Sequence, residues 1–333
     1  MKAREYSTDE NGVIHCHLCN HECKIKEGNF GICRVRRVIN GELLAESYAR
    51  VSSEAVDPIE KKPLYHFLPG TTSYSLGSIG CNFSCAHCQN WQISVAGLDF
   101  FRLKTINPED GVKRALMKGC SSVSWTYNEP TIWYEYTQDM GKIAHDTGIK
   151  TVYVTNGYMT ESALTDLAPY LDAWRVDIKA FTEEFYHKVC RAHLQPVLDS
   201  TVRAKELGLH VEVVNLLIPG LNDSIEEIDS LIEWVINFLG PQTPLHFTRF
   251  HPDYKLHDIP ATPLKTLERA YNLSKEKGLQ FPYLGNVSGH MYENTWCPSC
   301  NNLLIERTGN SIGSIHLKGS KCAYCGEETG IIV

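Results

Sequence analysis

The chain has 333 residues, enough for one large domain with small appendages at roughly 100 to 200 residues per domain. Apolar residues make up 43% and charged residues 21%, ordinary for a soluble globular protein, and the longest apolar stretches, such as 231–239, are interrupted by polar residues, which argues against a membrane span. A net charge of −7, from 32 Lys and Arg against 39 Asp and Glu, gives no general basic field and makes nucleic-acid binding a poor expectation.

Polar residues open the chain (MKAREYSTDENG), without the apolar core of a signal peptide, so a cytoplasmic location is expected. In that reducing compartment thirteen cysteines, an odd number with tight C-x2-C pairs, argue for metal ligation over a disulfide framework. Residues 1–56 form a cysteine-rich segment with Cys16-x2-Cys19-x3-Cys23-x9-Cys33. This set suits zinc, the preferred reading, or an auxiliary iron–sulfur cluster, or one metal shared with His15, His17 or His21. Since thiolates suffice for a closed site, the ordinary reading of the three histidines is solvated surface. Residues 57–70, DPIEKKPLYHFLPG, contain three prolines and read as an extended connector.

Residues 71–289 alternate short β-rich runs with amphipathic helical stretches, the pattern of a parallel α/β sheet. Strands are expected at Thr72–Ile79, Ser122–Thr126, Thr151–Thr155, Trp174–Ile178, His210–Leu217 and Leu245–Phe250, with a possible seventh at Gln280–Leu284. Helical periodicity covers 108–118, 132–146, 161–171, 224–238 and 263–277. Spacing alone does not choose between a barrel and a doubly wound sheet. Residues 290–333 then carry Cys297-x2-Cys300-x21-Cys322-x2-Cys325, paired knuckles of a zinc-ribbon-like, four-thiolate site. A segment of about 40 residues has too little core to fold alone, and a metal would supply the missing stability.

The most specific string follows the first strand of the repeat: Gly80-Cys81-Asn82-Phe83-Ser84-Cys85-Ala86-His87-Cys88. A 4Fe-4S cluster ordinarily takes four thiolates, and three leave one iron open to a small molecule. A zinc site or buried thiols are the alternatives. Further polar residues recur at later strand ends: Thr126-Tyr127-Asn128-Glu129, Val154-Thr155-Asn156-Gly157, Val176-Asp177-Ile178-Lys179, Leu217-Ile218-Pro219-Gly220 and Arg249-Phe250-His251-Pro252. Taken singly, these read as a helix N-cap, a turn, a surface ion pair, a strand end and a satisfied histidine. Alternation along a strand turns Asp177 and Lys179 the same way. Cys120 and Cys190 lack partners in sequence and read as structural thiols.

The C-x3-C-x2-C spacing resembles the signature of radical S-adenosylmethionine (SAM) enzymes. With CHLCNHECKIKEGNFGICRVR, the connector and CQNWQIS, nearly the whole chain is similar to their AmmeMemoRadiSam branch, related to pyruvate formate-lyase activating enzyme. The resemblance implies a partial (β/α)6 TIM-type barrel with chemistry at the C-terminal strand ends, and small cysteine-rich metal-binding segments at both termini. It implies a 4Fe-4S cluster on Cys81, Cys85 and Cys88, with SAM on the open iron. His87 would hold the adenine edge, and Glu129 the methionine amino group, in a motif where Tyr127 and Asn128 stand for two family glycines. Asn156 lies in the family's Thr-Asn-Gly turn, Asp177 and Lys179 would approach the SAM carboxylate, Ile218 the adenine and His251 the ribose. A flavodoxin- or ferredoxin-type electron donor and AMMECR-type and Memo-type partner proteins are implied as well. The expected function is an oxidoreductase that cleaves SAM reductively and abstracts hydrogen from an unidentified substrate. Activation of a glycyl radical enzyme is one alternative. A metal-stabilised RNA- or protein-binding module is another, with Arg307, Lys318 and Lys321 as its few positive charges.

Overall fold

The computed structural model describes residues 1–99 and 102–333. Its centre is an eight-stranded sheet: β1 (Ser53–Pro58), β2 (Thr72–Gly77), β3 (Ser122–Trp125), β4 (Lys150–Thr155), β5 (Ala173–Asp177), β6 (His210–Leu217), β7 (Leu245–Arg249) and β8 (Pro282–Gly285). The strands lie side by side in sequence order, all parallel except the antiparallel pair β1–β2. A doubly wound sheet reverses its strand order at a switch point. Here the order never reverses, so successive right-handed crossovers wind one way and build a barrel open between β8 and β1. The possible seventh parallel strand is present as β8, and β1 crosses the expected boundary at residue 56 to give the sheet an additional edge.

Among the described residues, six helices of seven residues or more cover the outside: α1 (Pro108–Met117), α2 (Tyr134–Asp146), α3 (Glu161–Leu167), α4 (Gln195–Glu206), α5 (Ile225–Trp234) and α6 (Leu264–Glu276). Their starts follow from local chemistry. Pro108 opens α1 with Glu109 and Asp110 in its first turn, and the Thr160 and Ser224 hydroxyls cap α3 and α5. Strand alternation sorts the two faces of the sheet. Tyr74, Leu76, Val123, Trp125, Tyr153, Trp174, Val176, Val213 and Phe247 belong to the buried core packed with the helices. The intervening residues, including Ser75, Ser124, Arg175, Asp177, Glu212, His246 and Thr248, share the opposite, inner face.

At the strand starts the barrel is stoppered. The connector is a plug with a 3-10 turn at Ile59–Lys61. The Glu212 carboxylate accepts the Tyr65 and His66 amides at 3.0 and 2.8 Å, and pairs with His246 and His210 at 2.7 and 2.9 Å. From the C-terminal segment, Arg307 donates to the Tyr65 carbonyl at 2.8 Å and lies 4.1 Å from the centre of the Tyr65 ring. The Leu68 amide bonds the Ile332 carbonyl, and the Ile332 amide the His66 carbonyl.

The N-terminal segment forms a three-stranded antiparallel sheet (Tyr6–Thr8, Ile14–Cys16, Lys24–Ile25) and a hairpin (Arg36–Ile39 with Glu42–Ala45). A fully buried bidentate pair between Arg36 and Glu135, with both contacts at 2.9 Å, fastens it to α2. Removing one partner would leave a buried charge uncompensated, so this pair fixes the docking geometry.

Candidate active site

At the strand ends the barrel opens into a cavity of about 450 Å³, the size range of small-molecule sites. Cys81, Cys85 and Cys88 line it from the loop after β2. Backbone bonds hold that loop in shape: Ser84 and Ala86 donate to the Cys190 and Val189 carbonyls, each at 3.0 Å. Cys190, read as a structural thiol, is fully buried beneath Cys85 and does not border the cavity. Three cavity-facing thiols suit a cluster with one iron left for a further ligand.

Glu129 is buried and lines the same cavity. It caps a 3-10 turn by accepting the Thr131 amide at 2.9 Å, and it ties β3 to β4 through the Thr155 hydroxyl (2.6 Å) and the Asn156 amide (2.7 Å). Burial pushes its carboxyl up despite these donors. Oε2 accepts only from Asn156 and retains a lone pair for a ligand amine. Tyr127, at a family glycine position, adopts φ +74, the left-handed conformation that glycine takes freely. Its hydroxyl donates to Asp57 at 2.9 Å, which anchors the strained residue. Asn128 accepts the Ser78 amide and donates to the Gly80 carbonyl, each at 2.9 Å, stitching this turn to the cysteine loop.

Asn156 also serves that loop, donating to the Asn82 side chain at 2.8 Å. Gly157 is required at φ +74, because a Cβ there would lie 2.9 Å from Val176. At the end of β5, Asp177 receives Arg175 at 2.7 Å and Lys179 at 3.0 Å. Burial opposes its ionisation, yet these two cations hold its carboxyl below the usual range. Burial likewise opposes the Lys179 charge, but Asp177 and the neighbouring Cys85 keep its pKa above the ordinary value. His87 borders the cavity, and burial, then Lys179, pushes it down to about 3, so the imidazole is neutral at pH 7.

Ile218 and His251 stand apart from the cavity wall. Ile218 is fully buried in the turn after β6 with its amide on Asn222, and it is Val214 and Leu216 that face inward. His251 is exposed and bonds the Pro252 carbonyl, while Thr248 and Asn286 border the cavity on that side. Sequence reasoning missed Lys61, Lys62 and Arg175, which also line it. Lys62 is buried against Asp57 at 2.6 Å, and the Arg175 Nε is buried without a partner. The signal for Arg175 was present, since it sits two residues before Asp177 on the same face.

Near the C-terminus, the sulfurs of Cys297, Cys300, Cys322 and Cys325 all lie within 4.8 Å of one another, an arrangement able to hold a metal ion. Of the N-terminal histidines, His15 and His17 bond the surface residues Asp9 and Ser7, whereas His21 bonds the Asn82 carbonyl in the cysteine loop. Among the described residues no helix is long and apolar enough to cross a membrane.

Residues 76–235 match the radical SAM superfamily. An uncharacterized protein of Methanocaldococcus jannaschii is 46% identical over 334 residues, covering 100% of this chain and 99% of its own. The pyruvate formate-lyase-activating enzyme of Clostridium pasteurianum is a distant relative, 23% identical over 55% of this chain and 81% of its own. A radical SAM methyltransferase from Sphaerobacter thermophilus shares the fold, with a TM-score of 0.51 at 17% identity over 71% of each chain. The sequence match and the three thiols at the mouth of a parallel barrel agree, and the chain belongs to the radical SAM superfamily.

Proposed function

We propose that this protein is an oxidoreductase that cleaves SAM reductively and uses the resulting radical to abstract hydrogen from a small-molecule or protein substrate. The observation that carries this reading is the convergence of Cys81, Cys85 and Cys88 with Glu129, Asn156, Asp177 and Lys179 on one cavity. A 4Fe-4S cluster bound by the three thiolates would supply the electron that splits the sulfonium of SAM into methionine and a 5'-deoxyadenosyl radical. The chain's own residues do the orienting. Glu129 Oε2 offers an acceptor to the methionine amine, and Lys179 and Arg175, which line the same cavity, offer positive charge to its carboxylate. His87, neutral and buried, and the apolar Val214 and Leu216 form the drier wall that a reactive radical needs. The cavity also has room for Lys61 and Lys62 to meet an anionic group of the substrate. The reducing electron comes from a flavodoxin- or ferredoxin-type donor, and AMMECR-type and Memo-type proteins are candidate partners.

The C-terminal thiols are assigned to a structural zinc. Two of their sulfur pairs stand 3.6 and 3.7 Å apart, close to the edge of about 3.8 Å expected for a tetrahedron with zinc–sulfur distances of about 2.3 Å. Anaerobic incubation of reconstituted protein with SAM and dithionite tests the main reading: 5'-deoxyadenosine and methionine should form with wild type and be absent with Cys88→Ala. No 5'-deoxyadenosine from fully clustered protein, with or without cell extract as a substrate source, would overturn it. Activation of a glycyl radical enzyme is a narrower version, favoured by the distant activating-enzyme relative and the Asp177–Lys179 pair. It requires a stable glycyl radical signal on a partner protein.

A further inference from the structure

The thiols of Cys16, Cys19, Cys23 and Cys33 surround one small buried cavity, together with Leu18, Ile25, Ile132 and Arg36. Their spacing differs from that of the C-terminal set, which among the described residues is the only group of three or more His, Cys, Asp or Glu ligands gathered within 4.8 Å. Neither the N-terminal thiols nor Cys81, Cys85 and Cys88 draw together that closely. The space between the N-terminal thiols measures about 10 Å³, room for roughly one water-sized sphere. Thiolates held about 2.3 Å from a single ion enclose no such space. A cubane does, because it sets its thiolates on the order of 6 Å apart. The wall also provides a donor for an anionic thiolate cluster. Arg36 gives both terminal nitrogens to Glu135, and its Nε is buried with no partner.

We propose that Cys16, Cys19, Cys23 and Cys33 bind a second 4Fe-4S cluster, closed by four thiolates and seated against the loop that carries the first. The two ligand segments are in backbone contact: a Cβ on Gly80, the residue before Cys81, would lie 2.5 Å from the Cys33 carbonyl oxygen. His21, on the wall of the N-terminal cavity, bonds the Asn82 carbonyl at 2.7 Å on the other side of Cys81. With four thiolates no iron is open to SAM, so the two clusters differ in one observable, their response to that ligand.

The experiment is iron, sulfide and zinc analysis, with electron paramagnetic resonance, on the anaerobically purified full chain carrying Cys81→Ala, Cys85→Ala and Cys88→Ala together. About four irons, about four sulfides and one zinc should remain per chain, and the signal of the reduced cluster should be unchanged by added SAM. Complete loss of iron, or retention of only about two irons, overturns the assignment. This outcome is independent of SAM cleavage, which the triple variant cannot perform. Should that variant fail to fold, reduced wild type is read instead. Two overlapping signals, of which SAM shifts one, are expected, and a single signal shifted entirely by SAM overturns the proposal.

Discussion

The two ends of the barrel carry buried charge in opposite ways. At the strand starts, Glu212 is saturated by two amides and two imidazoles, and the connector and C-terminal segment close over it. At the strand ends, Glu129, Arg175 and His87 are also buried, but they line a cavity, and Glu129 Oε2 keeps an open lone pair. Satisfied polar groups rigidify a core, whereas unsatisfied ones cost stability unless a ligand completes them. The end filled by the connector and the C-terminal segment serves stability, and the end that keeps its polar groups around open space serves binding.

The sharpest way to break this contrast is a pair of substitutions. Cys88→Ala should abolish 5'-deoxyadenosine formation, by roughly 10³-fold or more, with a thermal midpoint close to wild type when both are compared without the cluster. Glu212→Ala should do the reverse, costing about 3–5 kcal/mol in denaturant melts because two histidines and two amides lose their buried partner. Equal destabilisation by the two would erase the distinction. Replacing Cys297 and Cys300 by Ser, which removes half of the thiols able to hold a metal ion, should loosen the closed end next, with amide exchange in Leu303–Thr308 on the order of 10²-fold faster while the amides of β4 stay protected.

A smaller effect follows from His66, which hydrogen-bonds Tyr283 at 2.7 Å. Burial holds it down to about 3 from an ordinary 6.5, so between these values the unfolded chain binds more protons than the folded one. Its neutral form contributes in full above pH 6.5, and stability falls on acidification by up to about 1.4 kcal/mol per pH unit. His66→Gln should flatten the stability profile between pH 6.5 and 5, and an unchanged slope would remove His66 from the account. Smallest of all, Tyr127→Phe should cost about 1 kcal/mol through loss of the bond to Asp57, measurable by chemical denaturation.

Most strands and helices of the repeat were legible because alternation and helical periodicity survive in a barrel with an apolar outer face. β1 was not: Ser53-Glu54-Ala55-Val56-Asp57-Pro58 mixes charge and proline, as an edge strand tolerates, and only pairing with β2 reveals it. The connector hid more. Its prolines announced extension, but that Lys62 reaches the cavity while Tyr65 and His66 plug the far end depends on contacts with residues more than a hundred positions away. That the three cysteines, Glu129, Asn156, Asp177 and Lys179 share one cavity was readable because each lies at or beyond the C-terminal end of a strand of the same sheet. Ile218 and His251 follow strands too, yet the turns after β6 and β7 carry one into the core and the other to solvent. Strand registry determines where a side chain emerges, and turn geometry determines where it points.

The pairing of Leu68 with Ile332 bears on how the molecule is made. During synthesis the connector emerges early, and the Leu68 amide and His66 carbonyl have no partner until residue 332 has left the ribosome, long after the barrel strands can assemble. Contacts so distant in sequence form slowly and leave apolar surface exposed in the meantime. The floor of the barrel is thus the last part to close, and nascent chains halted before residue 332 should be recognised by chaperones through Phe67, which pairs with Ile332 and is buried in the finished fold.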